Sequence, residues 1–499
     1  MARIVVIGSG MGAMAAAARL AVAGHRVVVH ERAETFGGAV GRVERAGFRF
    51  DTGPALLQLP AVYRDLFVKT GKEPLEKCVE LTQVEPAVRH VFGDGTAVDL
   101  PNASRAGVSD ALDAALGAGA GALWSAFMNR AREAWDRTRR PLLEEPLWPN
   151  WQVLADREPY PSVPQKRLLR RERRAATLGE IAEWELGGDS RLRALLEQYA
   201  LAYGLDPHAT PASAAVLPYM EQTFGAWAVR GGTRALAEAV YERCLARRVE
   251  FAFGSPVTRI VEKDGRAAGV ELADSRFVEA DFVVAGVAPG VLAGLLPGTD
   301  VRPEGEVPAQ RPRTSRLSVL LALRGPRPED TPQRAVLHTT DREGELDQLF
   351  GQRPAVPVEP TVEVLRPEDP TRTPDANHEA VTLTATVPAG APVTEADADR
   401  LVARAEAVLP GLRERLLWRE VRTPADVEAA TGAEGGAIPA PALAAAGGRL
   451  LHPANGTRVR GLYAVGGWAH PGGGLPHAGM SGTLVAGLIV EGPEFRGSQ

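Results

Sequence analysis

Residues 1–31 constrain the fold of this chain more than any other stretch. Arg3-Ile4-Val5-Val6-Ile7 is a short β-branched run that breaks into Gly8-Ser9-Gly10-Met11-Gly12-Ala13. An Ala-rich stretch of helical composition runs from Met14 to Ala23, and Gly24-His25 ends it. Arg26 to His30 then reads as a second strand with Glu31 at its end. Strand, glycine turn, helix, strand and acid in that order make the βαβ unit that binds a dinucleotide. Gly8 permits the tight turn, and Gly10 lets backbone N–H groups approach a pyrophosphate at the helix N-terminus. Ala13 holds the last fingerprint position, where a small side chain lets helix and strand pack closely. Glu31 is placed to accept hydrogen bonds from a ribose 2′-OH, and it would repel a 2′-phosphate. NADP is thereby disfavoured, while NAD and FAD both remain.

The next segment selects FAD. Arg32 leads to Gly37-Gly38, then to Gly47-Phe48-Arg49-Phe50-Asp51-Thr52-Gly53-Pro54, rather than straight into another βαβ unit. This order resembles the FAD-dependent amine oxidase and phytoene desaturase superfamily, whose glycine pair follows the ribose-binding Glu. Near the other end, Tyr463-Ala464-Val465-Gly466-Gly467-Trp468-Ala469-His470-Pro471-Gly472-Gly473-Gly474-Leu475-Pro476 is a strand running into glycines. Its His-Pro-Gly-Gly-Gly-x-Pro run resembles the bacterial-type phytoene desaturases and related carotenoid desaturases, isomerases and saturases. Tyr203-Gly204, Phe224-Gly225-Ala226-Trp227, Arg230-Gly231-Gly232, Thr423-Pro424-Ala425-Asp426 and Gly435-Gly436-Ala437 extend the resemblance over nearly the whole chain.

The fold expected is α/β: a Rossmann-type FAD-binding domain of the GR2-like flavoprotein fold with an inserted α+β substrate domain. Three stretches read as cofactor domain: 1–108, 221–302 and 418–499. The insertions, 109–220 and 303–417, would form the substrate domain. The first insertion is mostly helical by pattern, with Leu192, Leu195, Leu196 and Tyr199 at helical spacing. In the second, Leu317 to Leu323 and Glu379 to Val387 read as strands and Leu401 to Leu417 as a helix. Phe277 to Ala285 reads as one strand, and a helix is expected from Ser481 to Glu491. A chain of 499 residues with 45% hydrophobic and 24% charged residues suits two globular domains.

The resemblance implies FAD contacts residue by residue. Gly8, Gly10, Met11, Gly12 and Ala13 would meet the pyrophosphate, and Glu31 and Arg32 the adenosine ribose. Gly38 and the Gly53-Pro54 turn would lie along the diphosphate, and Val257 would meet the adenine through its backbone. Gly466, Gly467, Gly474, Leu475 and Pro476 would border the ribityl chain and ring. Ala39 stands where relatives often carry Arg or Lys, so Arg42 could supply the missing cation. Trp468-Ala469 and Pro476-His477 also depart from the family pattern, which puts strict phytoene desaturation in doubt.

The activity implied is FAD-dependent oxidation of carbon–carbon bonds in an apolar isoprenoid or polyene, with hydride transfer to flavin N5. An apolar pocket with few polar groups is therefore expected, lined in part by Tyr199, Tyr203 and Trp227. His477 is the candidate acid or base, since imidazole titrates near neutral pH; the bland alternative is a loop histidine bonded to backbone. His470 is expected to be structural. An amine or alkene oxidase of specialised metabolism, favoured by a polar pocket, and a non-catalytic isoprenoid carrier are the competing readings.

The partner expected is the apolar small molecule itself. A net charge of −5 gives no sign of nucleic-acid binding. Cys78 and Cys244 are too few and too far apart for a disulfide framework or a metal site, as in a reducing cytoplasm. No signal peptide precedes the first strand, and the most apolar run, Phe282 to Leu296, is interrupted by Gly286, Pro289, Gly290 and Gly294. The basic cluster from Lys166 to Arg174 reads either as a solvated helix face or as peripheral contact with anionic lipid. Oligomeric state is not legible.

Overall fold

The computed structural model describes residues 1–164, 172–300, 314–329 and 331–497. β1 (Arg3–Ile7), α1 (Met11–Val22) and β2 (Arg26–His30) form a parallel βαβ unit. β3 (Val88–Val91) and β4 (Ala97–Leu100) follow as an antiparallel pair. Mostly helical chain then includes α2 (Ser190–Leu201) and α3 (Val216–Phe224), before α4 (Thr233–Ala246). β5 (Glu250–Ala252) and β6 (Phe282–Ala285) return to the first unit. β7 (Thr314–Arg324), β8 (Arg334–Leu337), β9 (Val362–Leu365) and β10 (His378–Pro388) come next. After them lie α5 (Glu395–Ala405), β11 (Leu416–Arg422), β12 (Leu462–Ala464) and α6 (Leu475–Val490).

Two sheets organise these elements. The first is parallel, in the order β5-β2-β1-β6-β12. Its strands come from residues 3–7, 26–30, 250–252, 282–285 and 462–464, so chain ends and middle converge on one layer. The second sheet is seven-stranded, in the order β11-β7-β10-β9-β8-β3-β4, and antiparallel except where β8 meets β3. β3 and β4 lie within 1–108, yet they extend this second sheet, because β3 pairs in register with Ala335 to Leu337.

α1 is buried from Met11 to Ala18 and carries mostly alanine, so its backbone approaches its neighbours closely. A β-carbon on Gly12 would sit 2.7 Å from the Ala478 carbonyl oxygen and 2.8 Å from the Gly466 Cα. One on Gly482 would come 2.5 Å from the Gly12 carbonyl oxygen. These glycines are packing requirements: a methyl group there would have to displace backbone.

Three element boundaries differ from the sequence expectation. The helix expected from Leu401 to Leu417 ends at Ala405, and Leu416–Arg422 is a strand. Pro410 cannot donate a helical hydrogen bond, and Gly411 takes φ +67°, which turns the chain out of the helical direction. Phe277 to Ala285 divides into Phe277–Glu279, in a separate antiparallel sheet, and β6. α6 begins at Leu475, inside the expected loop, with Gly474 as its N-cap.

Candidate functional site

The glycine turn has the geometry its residue types require. Gly8 takes φ +87° and donates its N–H to the His30 carbonyl, 2.8 Å. Ala13 packs on the end of β6, where a β-carbon on Gly286 would come 3.0 Å from the Ala13 Cβ. Gly38 lies over Gly10, whose Cα would be 3.1 Å from an added β-carbon, and Gly37 donates its N–H to the Ser9 carbonyl, 2.9 Å. The glycine pair is thus stacked on the glycine turn.

Glu31 ties the turn to the second strand. Its Oε2 accepts from the backbone N–H and the hydroxyl of Ser9, both at 2.8 Å, and its Oε1 accepts from the Ala33 N–H at 2.9 Å. Its carboxylate is buried and still borders the cavity described next. Ser9, which the sequence reading passed over, is therefore part of the site.

One cavity of about 590 Å³ runs from this turn to the seven-stranded sheet. Gly8, Gly10, Met11, Gly12 and Ala13 line one end with Glu31 and Arg32. Gly38, Ala39, Gly53, Pro54 and Val257 lie further along it. Gly466, Gly467, Gly474, Leu475 and Pro476 form the next part of the wall, with Trp468. α1 and α6 both open into this space with glycine N-caps and no side-chain cap, so uncapped N–H groups and two positive helix ends face it. A β-carbon on Gly10 or Gly466 would meet nothing within 4 Å, which leaves room directly above the backbone donors. Donors, space and a carboxylate for the ribose suit a dinucleotide with a bulky ring system, so the residues present fit FAD.

The C-terminal glycine loop is held from behind. The Gly466 N–H donates to Ser481 Oγ, 3.0 Å, and the Asn455 amide donates to the carbonyls of Ala464 and His470 and to Ser481 Oγ. His470 Nε2 lies 2.9 Å from the Glu145 carbonyl, a structural role as expected.

Two expected site residues lie elsewhere. Arg42 donates to the Gly231 carbonyl, 3.0 Å, and is not on the cavity wall. It sits opposite Asp51 in a hairpin, and its guanidinium is engaged by the Gly231 carbonyl rather than by the cavity. His477 borders a separate void of about 20 Å³ with Leu142, Val216, Met220 and Leu443. Burial, helped by the fields of His452 and His470, pushes its pKa down to about 3. Its ring borders that void and not the cavity wall, so it is not placed against a ligand in the cavity. The one-residue step from Pro476 turns it about 100° around α6.

The far wall adds a set of polar groups to the apolar pocket that the sequence implies. Tyr199 and Tyr203 line it, whereas Trp227 pairs in a small separate sheet. The wall itself is one face of the seven-stranded sheet: Arg316 and Ser318, Thr382 and Thr384, Glu363, Arg334 and His90. The opposite face of the same strands, including Leu317, Val319, Val364, Leu383 and Val387, packs on Leu401 and Val402 of α5. Alternation along each strand separates a mixed cavity face, which also carries Val88, Val336, Leu365 and Ala380, from a wholly apolar core face. Arg334 bridges Glu221 at 3.0 Å and Glu363 at 2.6 Å, and Gln58 donates to Glu221 at 2.7 Å and accepts from the Tyr203 hydroxyl at 3.1 Å. Burial opposes the charge of Arg334, but the two carboxylates outweigh it and raise its pKa.

Comparison with known proteins settles the family. The profile of the flavin-containing amine oxidoreductases matches residues 14–490. The chain belongs to that family. It is an FAD-dependent oxidoreductase. A 4,4'-diapolycopene oxygenase of Methylomonas sp is 28% identical over 98% of both chains. A hydroxyneurosporene desaturase of Rhodobacter capsulatus is 29% identical over 98% of this chain and 97% of its own length. The solved structure of a putrescine oxidase bound to putrescine shares the fold, with TM-score 0.63 at 15% identity over 98% of this flavoenzyme and 99% of that chain.

Proposed function

We propose that this flavoenzyme oxidises a carbon–carbon bond of an elongated isoprenoid polyene, in the manner of a phytoene desaturase. One observation carries the reading. A single cavity joins the nucleotide-binding turn to a substrate region whose apolar surfaces come from Leu56, Leu217, Val336, Leu365 and Ile438. The carotenoid-processing relatives, similar over nearly their full length, support it. Among the described residues no group of His, Cys, Asp and Glu could hold a metal ion.

Bound FAD supplies a two-electron acceptor, so hydride leaves one carbon and a proton the neighbouring one. This chain's residues bind and orient. Gly8 to Ala13 and the α1 N-terminus would hold the diphosphate, Glu31 the ribose, and the Gly466–Gly467 and Gly474–Pro476 backbones the ring. The buried sheet and helices exclude water from the reacting carbons. Anaerobic mixing of the FAD-loaded enzyme with linear isoprenoid polyenes tests the proposal: flavin absorbance should bleach as a double bond is gained.

Amine oxidation is the second reading, favoured by Glu221 and Glu363 on the cavity wall. Arg334 already engages both, which leaves no free anion for an ammonium group. Bleaching by primary amines and by no polyene would replace the first reading with this one.

Peripheral membrane contact fits an apolar substrate. Among the described residues no helix is long and apolar enough to cross a membrane. Lys166 to Arg171 lie outside the described residues, while Arg173 lies over the Trp184 ring. Substituting Arg170, Arg171, Arg173 and Arg174 with Gln should reduce binding to anionic liposomes at low salt.

A further inference from the structure

Resting on the isoprenoid reading above, we propose that the substrate carries a neutral oxygen group, hydroxyl or keto, and that the Glu221–Arg334–Gln58 cluster recognises it. The cluster is part of a built wall. Arg334 is mostly buried between two carboxylates, Glu221 is 4% exposed, and Gln58 links Glu221 to Tyr203. Ser318 and Thr384 face each other on neighbouring strands beside it, with their hydroxyl oxygens 3.4 Å apart. These groups already bond to one another, and beside a pure hydrocarbon the donor and acceptor capacity they have left over would go unused. The sheet could as readily have placed Val or Leu there, as it does at Val336 and Leu365 on the same wall.

A second observation points to a ligand. His90 is 3% exposed and lines the same wall. Its Nδ1 lies 2.9 Å from His338 Nε2, while its Nε2 has no hydrogen-bond partner. A ligand oxygen would satisfy it.

Charge defines the class. Glu221 and Glu363 are matched at this end by Arg334 and Arg316, and Arg316 is held by Thr386 Oγ1 and the Ala202 carbonyl. Two anions and two cations give a polar but neutral surface. It suits a hydroxyl or carbonyl oxygen and gives no excess charge to an ammonium or carboxylate. Leu56, Leu217 and Leu365 leave the rest of the cavity to the hydrocarbon.

The test uses the FAD-loaded protein and matched polyenes of one length: the hydrocarbon, its terminal alcohol, its ketone and its amine. Dissociation constants are read from quenching of tryptophan fluorescence. The parent should bind alcohol or ketone about tenfold more tightly than the hydrocarbon, the discrimination one or two buried hydrogen bonds provide. The better of the two identifies the oxygen. In Gln58→Leu/Glu221→Gln, and separately in Thr384→Val, that preference should fall to about twofold or less with hydrocarbon affinity and FAD occupancy kept. Equal binding of hydrocarbon and oxygenated forms by the parent, or preference for the amine, would overturn the proposal and leave the isoprenoid reading standing. Binding of none of the four would overturn both.

Discussion

Asp51 and Arg372 form a buried ion pair that links the hairpin after the nucleotide unit to the loop leading into β10. The Asp51 carboxylate also accepts from the backbone N–H groups of Thr233 and Arg234, at 3.3 and 3.4 Å, and so caps α4. Asp51 therefore has two partners, a guanidinium and a helix N-terminus. Arg372 otherwise has Asp369 at 3.6 Å and the Arg49 carbonyl at 3.4 Å.

The pair should respond asymmetrically to substitution. Asp51→Asn leaves a buried guanidinium short of its partner and weakens the helix cap, a loss of about 3–5 kcal/mol. Arg372→Met leaves Asp51 on the α4 N-terminus and should cost less. Urea titration of both variants checks this; equal losses would show that the helix end does not stabilise Asp51.

Glu31→Ala removes the carboxylate proposed to accept from the ribose and frees Ser9 from β2. FAD affinity should fall by about 1.5–3 kcal/mol, roughly 10- to 150-fold. Titration followed by flavin fluorescence measures it, and an unchanged dissociation constant would reject Glu31 as the ribose contact.

Gly12→Val places a branched side chain against the backbones of Gly466 and Ala478. A cost of about 1–3 kcal/mol is expected, with loss of bound FAD because the C-terminal loop is pushed out of place. Gly290→Ala is the control, since a β-carbon there meets nothing within 4 Å. Calorimetric Tm and flavin content should drop in the first variant only.

Acid should destabilise the fold through its buried histidines. Burial pushes His477 down to about 3 and His452 and His470 to about 4, against an ordinary value of 6.5. Above pH 6.5 both folded and unfolded chains hold these rings neutral. Below it the unfolded chain binds protons that the folded chain refuses, so stability falls as pH drops toward 4, by about 1.4 kcal/mol per histidine per pH unit. His477→Gln should shallow the fall of Tm between pH 6.5 and 4.5. Its turnover should stay within a few-fold of the parent, because the ring does not reach the cavity. A loss of a hundredfold or more would restore His477 as acid or base.

The fold of residues 1–31 was legible from sequence because a βαβ unit is local: turn, helix N-terminus and the position of Glu31 are set by spacing along one short stretch. The C-terminal strand and glycine run were legible for the same reason, although the helix after them starts inside the expected loop, at Leu475. Side-chain direction was not. Arg42 is engaged by the Gly231 carbonyl, and His477 is turned from the cavity wall by its phase on a helix that starts at Leu475. The polar wall required tertiary structure altogether. Gln58, Glu221, Arg316, Arg334 and Glu363 are scattered over some three hundred residues, and each is unremarkable in its own segment. Only strand pairing and burial bring them to one surface. There, cut off from water, each hydrogen bond and charge counts for more than it would in an exposed loop.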